Sequence, residues 1–360
     1  MTPPPPQSAA PQRLLIVRPS ALGDVSRTVP ALVTLRQHHP DAQIDWLVNA
    51  GFVDAVRHHP MLDRVIPFDR AALHMAGLRP AATRAALALR RQLRDARYDT
   101  VYDLQGLFRS GLLTWATRAP RRVGFANARE LGHLGYNVKH PVNESLHTVD
   151  RMLALLEADG LTPSHDMRIY LGDDDQQWLA RFLDEHRLAP QGYACLAPTA
   201  RWLSKCWPAE RYAEIATRLL DSGLGGDRLI VLAAPSEGAQ VRALLDALPA
   251  AARERVLVPG TSVGQLMALL SATRLLVGND SAALHIAVGF NRPAVAVFGP
   301  TDPALVGPYR REASVVQPPG APDDARHNYR DHDDQTLIAR VPVDAVWRRV
   351  QAEANRTPAG

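Results

Sequence analysis

Lysine is nearly missing from this 360-residue chain. Of 41 lysines and arginines only Lys139 and Lys205 are lysine, so arginine carries the net charge of +4 and the pI near 9.3. A mild arginine excess fits an acidic partner such as a phosphorylated glycan, a nucleotide or an anionic membrane surface. It is also what a GC-rich genome produces by replacing lysine with arginine. Cysteine is scarce too. Cys195 and Cys206 form no metal-spaced pattern and no disulfide framework, and Cys195 lies in an apolar run that reads as core. No apolar run approaches the ~18–20 residues needed to span a bilayer. The opening MTPPPPQSAAPQ has neither a basic n-region nor an apolar h-region, so it reads as a disordered tail rather than a signal peptide. These absences together predict a cytoplasmic protein. No G-x-G-x-x-G, P-loop, H-E-x-x-H or G-x-S-x-G pattern occurs. Hydride transfer on a Rossmann fingerprint, nucleotide triphosphate hydrolysis and serine-hydrolase chemistry are correspondingly disfavoured.

With 46% hydrophobic and 22% charged residues, the composition is that of a soluble globular protein. The length suits about two domains. Short β-rich runs alternate with helical patterns. Strands are predicted at Arg13–Val17, Gln43–Val48, Arg64–Phe68, Thr100–Leu104 and Arg122–Phe125, and near 193–197, 228–233, 255–258, 274–278 and 294–298. Val25, Val29, Leu32 and Leu35 keep helical spacing around Pro30, which must kink or restart that helix. Further helices are predicted over 83–97, 147–158, 208–221, 236–247, 263–271, 282–288 and 342–354. Alternation of this kind argues for α/β architecture with doubly wound parallel sheets. The expected division is a tail at 1–12, an N-terminal domain at 13–168 and a C-terminal domain at 169–360, whose last helix could return to the first domain.

Residues 277–285, Val-Gly-Asn-Asp-Ser-Ala-Ala-Leu-His, are the most informative stretch. A strand ending in a tight turn that opens a helix leaves backbone N–H groups aimed at one spot, which attracts phosphates. Asp280, Ser281 and, one turn on, His285 surround that spot. Arg18-Pro-Ser-Ala-Leu-Gly-Asp24 follows the first strand, and Asp24 reads either as an N-cap or as a general base. Lys205 lies in Pro198-Thr-Ala-Arg-Trp-Leu-Ser-Lys-Cys-Trp-Pro208, just before a helix. It reads as a diphosphate partner or as a solvated loop charge. Trp202 and Trp207 read as packing residues rather than base-stacking platforms, and no nucleic-acid partner is expected. Glu237, after the strand near 228–233, reads equally as a ribose ligand or a first-turn glutamate. Asp173–Asp175 reads as an acidic helix start. His327, Asp331, His332, Asp333 and Asp334 match no known metal-ligand spacing. The pairs His38/His39 and His58/His59 precede prolines and read as solvated.

Taken in order, these stretches resemble the ADP-heptose:lipopolysaccharide heptosyltransferases, glycosyltransferase family 9. The segments Leu14-Leu-Ile-Val-Arg-Pro-Ser-Ala-Leu-Gly-Asp-Val25, Tyr98-Asp-Thr-Val-Tyr-Asp-Leu-Gln-Gly-Leu-Phe-Arg-Ser110, Ala200–Pro208, Val277–His285 and Val297-Phe-Gly-Pro-Thr-Asp-Pro303 carry the likeness. The resemblance implies a GT-B fold, two Rossmann-like doubly wound domains facing a central cleft. It implies inverting, metal-independent transfer of heptose from ADP-L-glycero-D-manno-heptose to a lipopolysaccharide inner-core acceptor, with no cofactor and with peripheral contact at the inner membrane surface. Asp24 matches the general base. Thr199 and Lys205 match donor-phosphate ligands, Lys205 with a catalytic part. Glu237 falls at a ribose ligand and Thr261 near the adenine-contacting loop. Asp280, Ser281, Ala282 and His285 match donor and pyrophosphate contacts, and Ser20, Gln105 and Arg109 are candidate acceptor contacts. Two departures stand out. Ala282 replaces the family's usual glycine, and the loop after the third strand carries Asp69 and Arg70 where heptosyltransferase I is basic. Alternatives are a GT-B transferase or epimerase using another nucleotide sugar, or a silent nucleotide-sugar-binding protein.

Overall fold

A computed structural model describes residues 11–70, 77–320 and 334–355. The metal-like histidines and aspartates at 327–333, and most of the N-terminal tail, lie outside the described residues. The chain divides into two compact units, one formed by residues up to 144 with 149–166, the other by 145–148 with the chain from 167 onward.

The first unit holds a wholly parallel six-stranded sheet. Its strands are β1 (Arg13–Val17), β2 (Gln43–Asn49), β3 (Arg64–Phe68), β4 (Thr100–Asp103), β5 (Arg121–Phe125) and β6 (Val138–His140), in the order β3-β2-β1-β4-β5-β6. Leu14, Leu15, Ile16 and Val17 of β1 are buried without exception, as expected of a central strand covered on both faces. The helical pattern around Pro30 resolves into α1 (Leu22–Arg27) and α2 (Val29–His38), separated by Thr28. Pro30 occupies the first turn of α2, where its missing N–H costs nothing. Helices α3 (Pro80–Asp95), α4 (Phe108–Ala116) and α5 (Thr148–Ala158), the last from Val149 on, belong to the same unit.

The second unit repeats the same winding. Strands β7 (Tyr193–Ala197), β8 (Arg228–Val231), β9 (Val256–Leu257), β10 (Leu276–Asn279), β11 (Ala294–Val297) and β12 (Val315–Val316) run parallel in the order β12-β11-β10-β7-β8-β9. Read from β9, this is again third-second-first-fourth-fifth-sixth, although no internal sequence repeat is visible. Around the sheet lie α6 (Asp173–Glu185), α7 (Ala209–Ser222), α8 (Gly238–Ala247), α9 (Val263–Ser271), α10 (Ala282–Gly289) and α11 (Val343–Ala354). The C-terminal helix α11 turns part of its apolar face into the second unit's own core. Val346 and Val350 are fully buried in the core that holds Trp207, Tyr212 and the β7–β11 side chains.

The structure corrects several local expectations. The expected strand at 122–125 begins at Arg121, and the one ending at Leu104 stops at Asp103. The short edge strands β6 and β12 and helix α4 were not among the expected elements. His59 is buried, and its Nδ1 accepts from the Met61 N–H. His38 bonds the Thr34 carbonyl through Nδ1 and accepts the Thr162 N–H at Nε2, so neither is a free loop side chain. Asp173, Asp174 and Asp175 form the first turn of α6, where the helix dipole favours them. Asp175 lies so close to Gly264 of α9 that an added Cβ there would meet its carboxylate at 2.2 Å.

Candidate active site

Doubly wound sheets bind ligands past the carboxyl ends of their strands, at the point where strand order reverses. That point is β1/β4 in the first unit and β7/β10 in the second. The candidate residues follow β1 and β4 in the first unit and β7, β8, β9 and β10 in the second, on the connecting loops or the first turns of the helices they open.

In the first unit the chain leaves β1 through Arg18 and enters α1. Asp24 is not the N-cap. That position is Ala21, which has no side-chain acceptor, and the Asp24 carboxylate reaches back to accept the Ala21 N–H at 3.1 Å. The same carboxylate takes Arg27 at 2.5 Å and Arg18 at 3.4 Å, while both guanidiniums are almost fully buried. Burial by itself would raise the Asp24 carboxyl. The charges of Arg18 and Arg27 and the Ala21 hydrogen bond outweigh it and hold Asp24 well below the usual carboxylate range. Burial in turn lowers the Arg18 guanidinium, opposed by Asp24 and reinforced by Arg27. Arg18 also donates to the Leu104 carbonyl, which locks the β1 loop to the β4 loop.

The β4 loop is held from below. Buried Asp103 accepts the N–H groups of Gln105 and Gly106 at 2.9 and 3.1 Å and the Tyr136 hydroxyl at 2.7 Å. Burial raises its pKa, and these donors offset the rise only in part. Gln105 in turn accepts the Ser20 N–H at 3.4 Å, so two of the candidate acceptor contacts are brought together. Arg109 sits in the first turn of α4. Arg151 on α5 is lowered by burial and by the charges of Arg129 and Arg18, against Glu144. Among the described residues its buried Nε, like that of Arg18, has no hydrogen-bond partner. Arg18 and Arg27 therefore concentrate positive charge around one carboxylate, and the charges of Arg18 and Arg129 both reach Arg151. Of these only Arg18 lay in a recognisable motif. Arg27 lies three residues from Asp24 on α1, a spacing that pairs them on one helix face and that the sequence therefore carried.

In the second unit the loops after β7 and β10 are joined by Asn279. Its side-chain N–H donates to the Pro198 carbonyl at 2.7 Å, and its oxygen accepts the Trp207 N–H and the Tyr212 hydroxyl at 3.2 and 2.8 Å. The sequence offered Asn279 only as a turn residue. Beyond it, Asp280 accepts Lys205 at 2.6 Å and the Thr301 hydroxyl at 2.9 Å on one oxygen, with His285 Nε2 4.0 Å from the other. Lys205 is thus no solvated loop charge. Ser281 is the N-cap of α10 in extended conformation, its side chain makes no capping bond, and Ala282 is the first helical residue. Thr199 donates to Glu237 at 2.7 Å, and the same Glu237 oxygen accepts the Ala234 N–H. Thr261 precedes Ser262, the N-cap of α9. Trp207 is buried, edge-on to Tyr212, and donates to the Val341 carbonyl, a packing role. Burial pushes the Cys195 thiol up to about 12, which excludes it as a nucleophile at neutral pH.

The arrangement offers two chemistries. The first-unit loops hold an ionised carboxylate among arginines. The second-unit loops hold a lysine, a carboxylate and a helix N-terminus without side-chain capping, a set that suits a diphosphate.

Residues 86–331 match the model of the family described as glycosyltransferase family 9 (heptosyltransferase). Lipopolysaccharide heptosyltransferase 1 of Escherichia coli O18:K1:H7 is 31% identical over 86% of this chain and 92% of its own. The structure of E. coli heptosyltransferase WaaC with ADP-2-deoxy-2-fluoro heptose superposes with a TM-score of 0.73 at 27% identity, covering 94% of this chain and 99% of that one. A family 9 glycosyltransferase from Veillonella parvula superposes with a TM-score of 0.82 at 20% identity, over 95% and 97% of the two chains.

Proposed function

Because the chain belongs to glycosyltransferase family 9 and has the two-sheet GT-B fold of a glycosyltransferase, we propose that it moves heptose from ADP-L-glycero-D-manno-heptose to a lipopolysaccharide inner-core acceptor, on the cytoplasmic side and in peripheral contact with the inner membrane. The observation that carries the reading is the meeting of Lys205, Asp280 and Thr301 at the start of α10. A leaving ADP needs its growing charge met by groups already in place. Lys205 and the N–H groups at 281–282 supply a cation and a helix N-terminus at one point, and this is the basis for proposing transfer that needs no metal. Thr199 and Glu237 flank that point at the ends of β7 and β8, where the diphosphate and ribose would lie. Thr261 serves the adenine end, and His285 the pyrophosphate and sugar.

In the inverting mechanism proposed, the acceptor hydroxyl attacks the anomeric carbon from the face opposite the departing ADP and passes its proton to Asp24. Asp24 is ionised and ready to accept it, but the two arginines that hold it low also make it a weak base. An acidic acceptor resolves this conflict. Its anionic groups engage the arginines, dilute their charge at Asp24 and raise its basicity as the complex forms. Ser20, Gln105 and Arg109 would contact the same sugar.

A thermal-shift series with nucleotide sugars tests the donor, because a ligand that binds only the native state raises its apparent stability. ADP-heptose is expected to stabilise the chain more than UDP or GDP sugars. The reverse ranking would replace the donor and leave a GT-B transferase or epimerase of another nucleotide sugar.

A further inference from the structure

Helix α4 is apolar on two faces, and among the described residues only one is packed within its own unit. Gly111, Leu113, Thr114 and Ala116 are buried inward, with Gly111 so close to Gly132 that an added Cβ would meet its carbonyl oxygen at 2.3 Å. Phe108, Leu112 and Trp115 repeat at four and three residues along the outward face, and are 52%, 47% and 38% exposed. The turn at 132–135, pressed onto α4 by those glycines, adds Leu134, and Leu131 stands just before it. These two are 65% and 60% exposed. The five side chains line one shallow hollow together with the glycines. Such a contiguous apolar patch marks a contact surface.

The chemistry of its border identifies the partner. The Arg118 guanidinium lies 4.3 Å from the Trp115 ring, and Arg118 also lines an adjoining groove with Arg90, Arg91, Arg94 and Arg97. The acids of that groove are Asp95 and Asp99, and the Asp99 carboxylate is already engaged by the N–H groups of Gln12 and Arg13. On the patch itself Arg109, Arg129 and His133 stand against Glu130 in the sequence of its two segments. A second copy docking by two-fold symmetry would set these arginines against their own images. Tryptophan and leucine beside arginine instead match the apolar boundary and anionic headgroups of a lipid leaflet.

We propose that the face formed by Phe108, Leu112, Trp115, Leu131 and Leu134, with the arginine groove beside it, docks the protein on an anionic phospholipid leaflet. The proposal rests on the peripheral location inferred above and names its surface. The test is co-sedimentation of the full chain with vesicles of phosphatidylglycerol and phosphatidylethanolamine, against vesicles of phosphatidylcholine alone. The wild type is expected to bind the anionic vesicles selectively. Leu112→Glu with Leu134→Glu should cut binding by at least about ten-fold, and Arg90→Gln with Arg94→Gln by about five-fold per arginine. Both double variants should keep the wild-type melting temperature and ADP affinity. Selective binding that both variants retain in full, no binding by the wild type, or a dimer in sedimentation velocity that the leucine variant dissolves would each overturn the proposal. None of these readouts uses a heptose donor or acceptor, so a failure of the transfer reading shows itself separately, as absent turnover.

Discussion

Lys205 and Asp280 lie 75 residues apart in the chain and meet at 2.6 Å where the loops of β7 and β10 converge. One of only two lysines is therefore held in place before any phosphate arrives, by a carboxylate that Thr301 also steadies. The ion pair fixes the cation's position and prevents it from wandering in solvent. It also sets a competition, because an incoming diphosphate must share Lys205 with Asp280.

Lys205→Ala is expected to weaken ADP binding by about 1.5–3 kcal/mol, roughly ten- to a hundred-fold. It removes a charged donor and leaves the Asp280 carboxylate without its lysine at the phosphate site. Calorimetric titration reads this directly. Full affinity in the variant would remove Lys205 from the phosphate site. In a double-mutant cycle with Asp280→Ala the two positions should couple by about 0.5–3 kcal/mol in folding stability.

Asp24→Asn should leave ADP affinity within about two-fold of the wild type while transfer falls by about a hundred- to ten-thousand-fold. Unchanged transfer would dismiss Asp24 as the base. Because Arg18 and Arg27 hold the carboxylate well below its usual range, kcat/KM should show no acid limb belonging to this group between about pH 5 and 8.

The same depression is a statement about folding. A carboxyl lowered in the native state stabilises it at pH values above its unfolded pKa of about 3.9, and that contribution is lost as the pH falls below this value toward the folded pKa. Urea denaturation of the wild type should therefore show stability falling with acidification below about pH 4, with a shallower fall in Asp24→Asn. Equal slopes would mean that the arginines do not hold Asp24 low in solution.

Asn279→Ala removes a partner of three buried groups at once, the Pro198 carbonyl, the Trp207 N–H and the Tyr212 hydroxyl, the last keeping only a long 3.5 Å bond to the Ala197 carbonyl. The expected loss is about 2–4 kcal/mol of stability in the second unit, with weaker ADP binding because both loops lose their common tie. A variant as stable as the wild type would show that water replaces the amide.

Tyr136→Phe deprives Asp103 of a donor in a site where burial already raises its pKa. A cost of about 1–3 kcal/mol is expected near neutral pH. A carboxyl raised in the native state disfavours folding once it ionises, and the substitution raises it further. The cost should therefore shrink as the pH is lowered and Asp103 is protonated. A cost that does not vary with pH would assign the effect to lost packing alone.

The central strands, the loops that leave them and the helix starts at Asp173 and Ser281 were legible because they are local. Apolar runs, cap residues and prolines speak for residues within a turn or two of themselves. Thr199, Lys205, Glu237, Asp280, Ser281, Ala282 and His285 were therefore placeable after strand ends before any contact was known, whereas Thr261 came only from the family resemblance. The edge strands β6 and β12 were not legible, being two or three residues long and defined only by a neighbour's hydrogen bonds. The lock of Arg18 on the β4 loop and the hold of Asn279 on two loops were likewise decided by tertiary structure. The residues that make these features are brought together by sheet order, and periodicity within a segment does not encode which strand lies beside which. The chain's own residues determined what each loop could do chemically. The repeated winding of the two sheets decided which loops do it side by side.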